Sequence, residues 1–254
     1  MPDEVLTEQH GRVLVITINR PRARNAINAA VTEAVAAGLD RLDEREDLSL
    51  GVLTGAGGTF SAGMDLKAFL DGESVSIPGR GLAGMTERPP RKPMIAAVEG
   101  YALAGGCELV LACDLVVAAE DARFGIPEVK RGLVAAAGGL MRLPRRIPPH
   151  LAMEYALTGD FFSAPDAHRY GLVNHLTPPG DALAGALALA ERITANAPLA
   201  IQATKEVITR SADWHGDEAF TRQQPIVRAV FESADAREGA RAFAEKRAPE
   251  WRGE

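Results

Sequence analysis

Lys92-Pro-Met-Ile-Ala-Ala-Val-Glu-Gly-Tyr-Ala-Leu-Ala-Gly-Gly-Cys-Glu-Leu109 is the stretch on which the fold turns. Met94 to Val98 is an unbroken apolar run of strand length, as expected for a strand buried on both faces. Glu99 to Gly106 then turns the chain, and a helix begins near Gly105 with a glycine pair in its first turn. The apolar character continues from Tyr101 to Ala119, but Glu108 and Asp114 lie inside it. Two acids at such depth would cost several kcal/mol in lipid, so the stretch belongs to a water-soluble core and not to a membrane span. Leu115 to Ala119 reads as the next strand. Strand, turn, helix and strand in that order predict an α/β fold.

The same alternation extends toward the N-terminus. Val13 to Asn19 is a β-branched strand candidate, and Asn28 can cap a helix whose Val31, Val35, Leu39 and Leu42 share one face. Leu50 to Thr54 is a second apolar run. It ends in Gly55-Ala-Gly-Gly-Thr-Phe-Ser-Ala-Gly63, and a helical turn follows near Asp65. Residues 71 to 92 are rich in Gly, Pro, Ser and Arg, and read as a surface segment, either mobile or able to close over a site. From Gly138 onward the signal is helical: 139–146, 149–157, 164–170, 182–196, 198–210 and 217–245, with Val173 to Leu176 the one strand candidate. These late helices must bury their apolar faces on the sheet or on a partner subunit. No repeat of fixed period and no low-complexity tract is present.

The 254 residues correspond to between one and two folding units, enough for a core without staples. Hydrophobic residues at 46% and charged residues at 24% exclude disordered, collagen and coiled-coil classes. A net charge of −6 without any basic block argues against a nucleic-acid partner. Met1 to His10 is acidic and lacks the apolar core of a secretory signal. Cys107 and Cys113 lie in one apolar stretch and read as reduced, buried thiols, which suits a cytosolic (cytoplasmic) protein. His10, His150, His168, His175 and His215 stand at unrelated spacings, so no metal site is expected.

Two glycine loops could carry chemistry. The loop from Gly55 has no Gly-Lys-Ser/Thr ending and places Phe60 where a dinucleotide fingerprint needs its third glycine, so neither nucleotide motif fits. What such loops offer is backbone N–H groups. If those of Ala62 and Gly105 converge, they form an oxyanion hole, with the helix dipole behind Gly105 reinforcing it. The alternative is that both are merely tight turns. Glu108, in the first turn of an apolar helix, and Glu128, after Phe124-Gly-Ile-Pro127, suit an acid/base pair handling one water. Equally, Glu108 could be a helix-terminal charge and Glu128 a solvated loop acid. Arg24 suits a phosphate or is simply solvated. Asp65 and Asp114 are explained as well by capping as by function.

The chain resembles the crotonase (enoyl-CoA hydratase/isomerase) superfamily nearly end to end. The resemblance is carried, in order, by Asn19-Arg-Pro-Arg-Ala-Arg-Asn-Ala-Ile27, Phe60-Ser-Ala-Gly-Met-Asp-Leu66, the 92–109 stretch, Cys113-Asp114, Phe124-Gly-Ile-Pro-Glu128 and Glu245-Lys-Arg247. It implies a spiral of ββα units over residues 1–195 and a C-terminal helical region, 196–254, used to form trimers or hexamers. It also implies an acyl-CoA substrate whose thioester oxygen is held at Ala62 and Gly105, with coenzyme A present only as part of that substrate and no other cofactor. Coenzyme A would lie near Arg24, Ala26, Met64, Asp65 and Leu66. Glu108 would activate water and Glu128 would exchange the C2 proton. Because family isomerases commonly lack an acid at the position of Glu108, keeping both acids points to hydration of a 2,3-enoyl-CoA, although carnitinyl-CoA dehydratase-like members keep both as well. The pattern departs after Glu128. Family hydratases continue Gly-x-x-Pro-Gly-x-Gly-Gly-Thr-Gln, whereas Ala135 and Ala136 here replace the proline and a glycine, and Ala136 is expected to narrow the acyl or water site.

Overall fold

The computed structural model describes residues 3–254. Its frame is a sheet of six strands that takes one strand from each successive stretch of the chain. Strand β1 (Val5–His10) pairs antiparallel with β2 (Val13–Ile18), and α1 (Ala29–Glu44) crosses to β3 (Leu50–Gly55). A short helix α2 (Leu66–Leu70) and the two-stranded hairpin β4 (Ser76–Ile77) and β5 (Gly81–Leu82) precede β6 (Met94–Val98). Next come β7 (Tyr101–Leu103), α3 (Gly105–Ala112), β8 (Leu115–Ala119) and β9 (Arg123–Gly125). The rest is α4 (Gly139–Arg146), α5 (Pro149–Thr158), β10 (Phe162–Ser163), α6 (Ala164–Arg169), β11 (His175–Thr177) and the helices α7 (Ala182–Thr194), α8 (Pro198–Ser211), α9 (Ala219–Phe231) and α10 (Ala234–Glu245).

The large sheet runs β1-β2-β3-β6-β8-β11, parallel throughout except for β1, and a small sheet runs β10-β9-β7. Successive turns of the chain therefore stack: β7 lies parallel to β9, and Ser61 forms a parallel bridge with Ala102. Each turn places one strand in the large sheet, a second extended piece beside it, and then a helix. This is the expected spiral of ββα units, and its pitch sets residues 61–65, 101–105 and 123–128 side by side.

Both faces of the large sheet are covered, which is why its strands are continuously apolar. Alternate residues Val13, Val15, Leu50, Val52, Ile95, Ala97 and Val117 meet Ala182, Ala186 and Ala190 of α7. The opposite set, including Leu14, Ile16, Leu53, Ala96 and Val116, joins Val31, Val35 and Leu39 of α1 and the apolar face of α3. Asn28 caps α1 by accepting from Val31 N–H at 2.9 Å, as its side-chain chemistry predicts. Cys107 and Cys113 are unpaired and buried; burial pushes both thiols up to about 12.

Four expectations need correction. The N-terminal residues hold a strand, β1, that the acidic composition concealed: its side chains are mostly exposed on an edge, so it has no apolar run. Residues 71–92 are not wholly a surface segment. Leu82, Ala83, Met85 and Thr86 are buried, and Arg80 fastens the hairpin to α1 through Asp40 at 2.9 Å. The strand expected at 173–176 forms two residues later, at His175–Thr177. The long helix expected over 217–245 is two helices, because Ser233 turns extended and caps α10 by accepting from Ala236 N–H at 3.0 Å. Among the described residues, no helix is long and apolar enough to cross a membrane.

Candidate active site

The site lies where the stacked turns pass from their second strands into their helices. The loop after β3 is drawn against the start of α3 so closely that side chains are excluded. A Cβ on Gly63 would stand 2.8 Å from the Ala104 Cβ and 2.9 Å from the Gly105 nitrogen, and a Cβ on Gly106 would stand 2.3 Å from the Ser61 oxygen. Gly63 also has φ of +93°, a conformation that glycine adopts at least cost. Just before α3, Ala104 takes φ of +50° with its N–H on the Gly125 oxygen at 2.9 Å, which fixes the direction of the next peptide.

Accounting for the amides of this loop identifies the donors. Ser61 N–H goes to the Tyr101 oxygen at 2.9 Å, Ala62 N–H to the Arg24 oxygen at 3.0 Å, Gly63 N–H to its neighbour Ser61 Oγ at 3.1 Å, and Asp65 N–H to the Ile27 oxygen at 2.8 Å. Within this run of five, Met64 N–H is the amide with no acceptor among the described residues. Gly105 N–H, at the first position of α3, likewise has none among them, as expected for a helix start. The two amides are neighbours, with the Met64 nitrogen 3.5 Å from where a Gly105 Cβ would lie. The expectation for Ala62 is therefore corrected: its N–H is already satisfied by Arg24, and Met64 stands in its place beside Gly105.

Glu108 is one turn into α3 and only 4% exposed. Its Oε1 accepts from Gly139 N–H, at the start of α4, at 2.9 Å. Burial pushes the carboxyl up to about 7; the Gly139 N–H opposes that shift, the Glu128 charge adds to it, and Arg142 opposes it again. Glu128 opens a short 3₁₀ turn, Pro127–Arg131. Among the described residues, its Oε2 is the buried side-chain oxygen without a hydrogen-bond partner. Burial also raises the Glu128 carboxyl above its ordinary range. A buried acceptor left open is uncommon, and it marks a position where a group from outside the chain would complete the bonding.

The remaining site expectations separate. Asp65 is engaged in structure: it caps α2, accepting from Lys67 N–H at 3.1 Å, and pairs with Arg20 at 3.0 Å. Burial alone would raise its carboxyl, but Arg20 and the capping N–H groups hold it below the usual range. Arg24 is exposed with a left-handed backbone, Ala26 gives its carbonyl to Arg20 at 2.5 Å, and Leu66 is exposed at the rim. Ala136 is exposed, whereas Ala135 is buried with its methyl 3.1 Å from where a Gly139 Cβ would lie. Of the two alanines, Ala135 is thus the one buried near Gly139. Sequence reasoning passed over Gly139, although Gly138-Gly139 opens a helix just as Gly105-Gly106 does. Two cavities of about 180 and 200 Å³ lie against the C-terminal tail, bordered by Trp251 and Arg252 respectively, and include neither glutamate.

The spiral thus gathers, around the start of α3, two amides left open and two carboxyls that burial raises above their ordinary range. The sequence model of the family described as enoyl-CoA hydratase/isomerase matches residues 8–254, and the chain belongs to that family. It is 45% identical to enoyl-CoA hydratase EchA19 of Mycobacterium tuberculosis over 97% of this chain and 95% of that one. It is 40% identical to a carnitinyl-CoA dehydratase of Salmonella typhi over the full length of both. A crystal structure of an enoyl-CoA hydratase from Mycobacterium tuberculosis H37Rv superposes with a TM-score of 0.98 at 62% identity, covering 99% of this chain and 100% of that chain.

Proposed function

We propose that the enzyme adds water reversibly across the 2,3 double bond of an enoyl-CoA thioester to give a 3-hydroxyacyl-CoA. The observation that carries this reading is the paired carboxylates: Glu108 anchored by Gly139 N–H, and Glu128 with one buried oxygen left open. Moving a proton between two carbons needs one acid/base group; adding water across a double bond uses two, one for each end. Ionised Glu108 takes a proton from the water whose oxygen bonds C3. Protonated Glu128 gives its proton to C2, and the charge that builds on the thioester oxygen is met by Met64 and Gly105 N–H. A folded pKa of about 7 makes Glu108 a base of useful strength that is substantially ionised at neutral pH. Coenzyme A follows the exposed rim by Arg24, Ala26 and Leu66 as part of the substrate, and no further cofactor is assigned.

A second reading is a dehydratase of a polar hydroxyacyl-CoA such as a carnitinyl-CoA. It is favoured by relatives of that name that match over the full length. Both readings use the same two glutamates. The test is loss of enoyl absorbance with crotonyl-CoA, run beside a panel of acyl-CoAs that includes carnitinyl-CoA. Glu108→Gln and Glu128→Gln are each expected to lower turnover by about 100-fold to 10,000-fold with little change in substrate affinity. Unchanged turnover in both variants would eliminate the mechanism. Tight acyl-CoA binding without turnover of any panel member would indicate a non-catalytic binding protein.

A further inference from the structure

One side chain joins three parts of the site without belonging to the acid pair. Arg142, in the first turns of α4, is half-buried. Its Nη2 donates to the Thr86 oxygen and its Nη1 to the Ala137 oxygen at 3.4 Å. Thr86 in turn accepts, through Oγ1, from Leu82 N–H at 2.9 Å. Leu82 covers the oxyanion glycine, with its Cδ2 2.7 Å from where a Gly105 Cβ would stand. On its other side the guanidinium fills the space beside Gly138, where a Cβ would meet Nη1 at 2.1 Å. The next peptide is the Gly139 N–H that holds Glu108.

We propose that Arg142 is a positioning residue for the reaction: its guanidinium ties the Leu82–Thr86 segment to the 137–139 turn, and its charge faces Glu108 across that turn. The inference rests on the hydratase reading for its kinetic consequence, but not for its electrostatic one. The charged groups around Glu108 are few. Its own helix contributes the buried Cys107 thiol; the 3₁₀ turn contributes Glu128, with Arg131 beside it; α4 contributes Arg142, with Arg145 and Arg146 behind. Of the cations, Arg142 is the one that acts on Glu108, and it opposes both burial and Glu128. Losing its charge strengthens the hold of Glu108 on its proton. Losing its two-sided grip loosens Gly139.

The test compares Arg142→Gln and Arg142→Lys with the unaltered enzyme. Glutamine removes the charge but keeps a polar side chain, while lysine keeps the charge. The ionisation of Glu108 is read directly by carbon NMR of labelled glutamate carboxyls, with Glu108→Gln assigning the signal. The pH profile of kcat/KM for crotonyl-CoA is recorded in parallel. In R142Q the Glu108 midpoint and the acid limb of the profile are expected to move together to higher pH. At neutral pH, kcat/KM is expected to fall by about tenfold to a hundredfold; in R142K the midpoint is expected to return toward that of the unaltered enzyme. A midpoint unmoved in R142Q, or moved equally in R142K, overturns the proposal. If the unaltered enzyme hydrates no enoyl-CoA, the hydratase reading falls and the NMR midpoint still decides the role of Arg142.

Discussion

Glu108 carries a cost beside the chemistry proposed for it. Its carboxyl is held more tightly protonated in the folded chain, at about 7, than in an unfolded one near 4.5, because burial disfavours the charge. The sign follows from proton linkage. Between those values the native state binds more protons than the unfolded state, so this group's contribution to stability is fully present below the ordinary carboxylate range and is lost as pH rises through about 7. Glu108→Gln keeps a carbonyl for the Gly139 N–H and removes the titration. Its urea midpoint is expected to match the unaltered protein near pH 4.5 and to exceed it at pH 8, by a gain on the order of 1–3 kcal/mol. A gain of equal size at both pH values would mean that the acid is not strained by burial. At this scale the sequence was partly legible. An acid inside an apolar helix is a visible anomaly and singles out Glu108, while Glu128 is marked by its place after Phe124-Gly-Ile-Pro127. Which amides are unsatisfied was not legible, because that depends on Arg24 adopting φ of +52° and offering its carbonyl to Ala62, a contact 38 positions away in the chain.

At the scale of elements, the strands buried on both faces announced themselves as apolar runs: the expected β6 and β8 coincide with Met94–Val98 and Leu115–Ala119. The small sheet was invisible, because β7, β9 and β10 span only two or three residues each, too short for a period to register. The helices beyond Asn196 were recognisable, but not what fastens them. Lys205 of α8 inserts its ammonium between the sheet domain and the helical tail. It pairs with Asp114 at 2.7 Å and donates to the carbonyls of Pro90 at 2.8 Å and Lys92 at 3.0 Å. Asp114 also accepts from Met94 N–H at 2.8 Å, so one carboxylate joins β6, the end of α3 and α8. Lys205→Met removes an ion pair and two hydrogen bonds from a mostly buried group. It is expected to lower stability by about 1–3 kcal/mol in denaturant titration, and to quicken proteolysis within α8–α10 before the sheet domain is cut. An unchanged digestion pattern would show that the tail is held by something else.

Taken as a whole, the chain exposes more surface than its mass requires. Its accessible area is 13307 Å², against roughly 11,000 Å² for a monomeric protein of this size. Several large apolar side chains stand in water. Phe220, Phe231 and Phe243 are 74%, 76% and 87% exposed, and α9 buries none of its residues. An exposed apolar face of this kind is characteristic of surfaces that pair with another chain, and closed rings of identical copies are the commonest soluble assemblies. Light scattering on the purified protein is expected to give the mass of a trimer or of paired trimers, and Phe243→Asp to reduce it. A monodisperse monomer would remove this expectation and leave the exposed phenylalanines without an account. The resemblance suggested assembly, but the surface arithmetic needed coordinates. In the proposed reaction Met64 and Gly105 act through main-chain nitrogen. No exchange of side chain deletes such a donor unless proline enters, whereas each glutamate is a single replacement from loss. If the proposed reaction is right, the scaffold pairs a hardwired grip on the carbonyl with a rewritable proton chemistry, and substitutions would change the reaction before they cost the hold on the thioester.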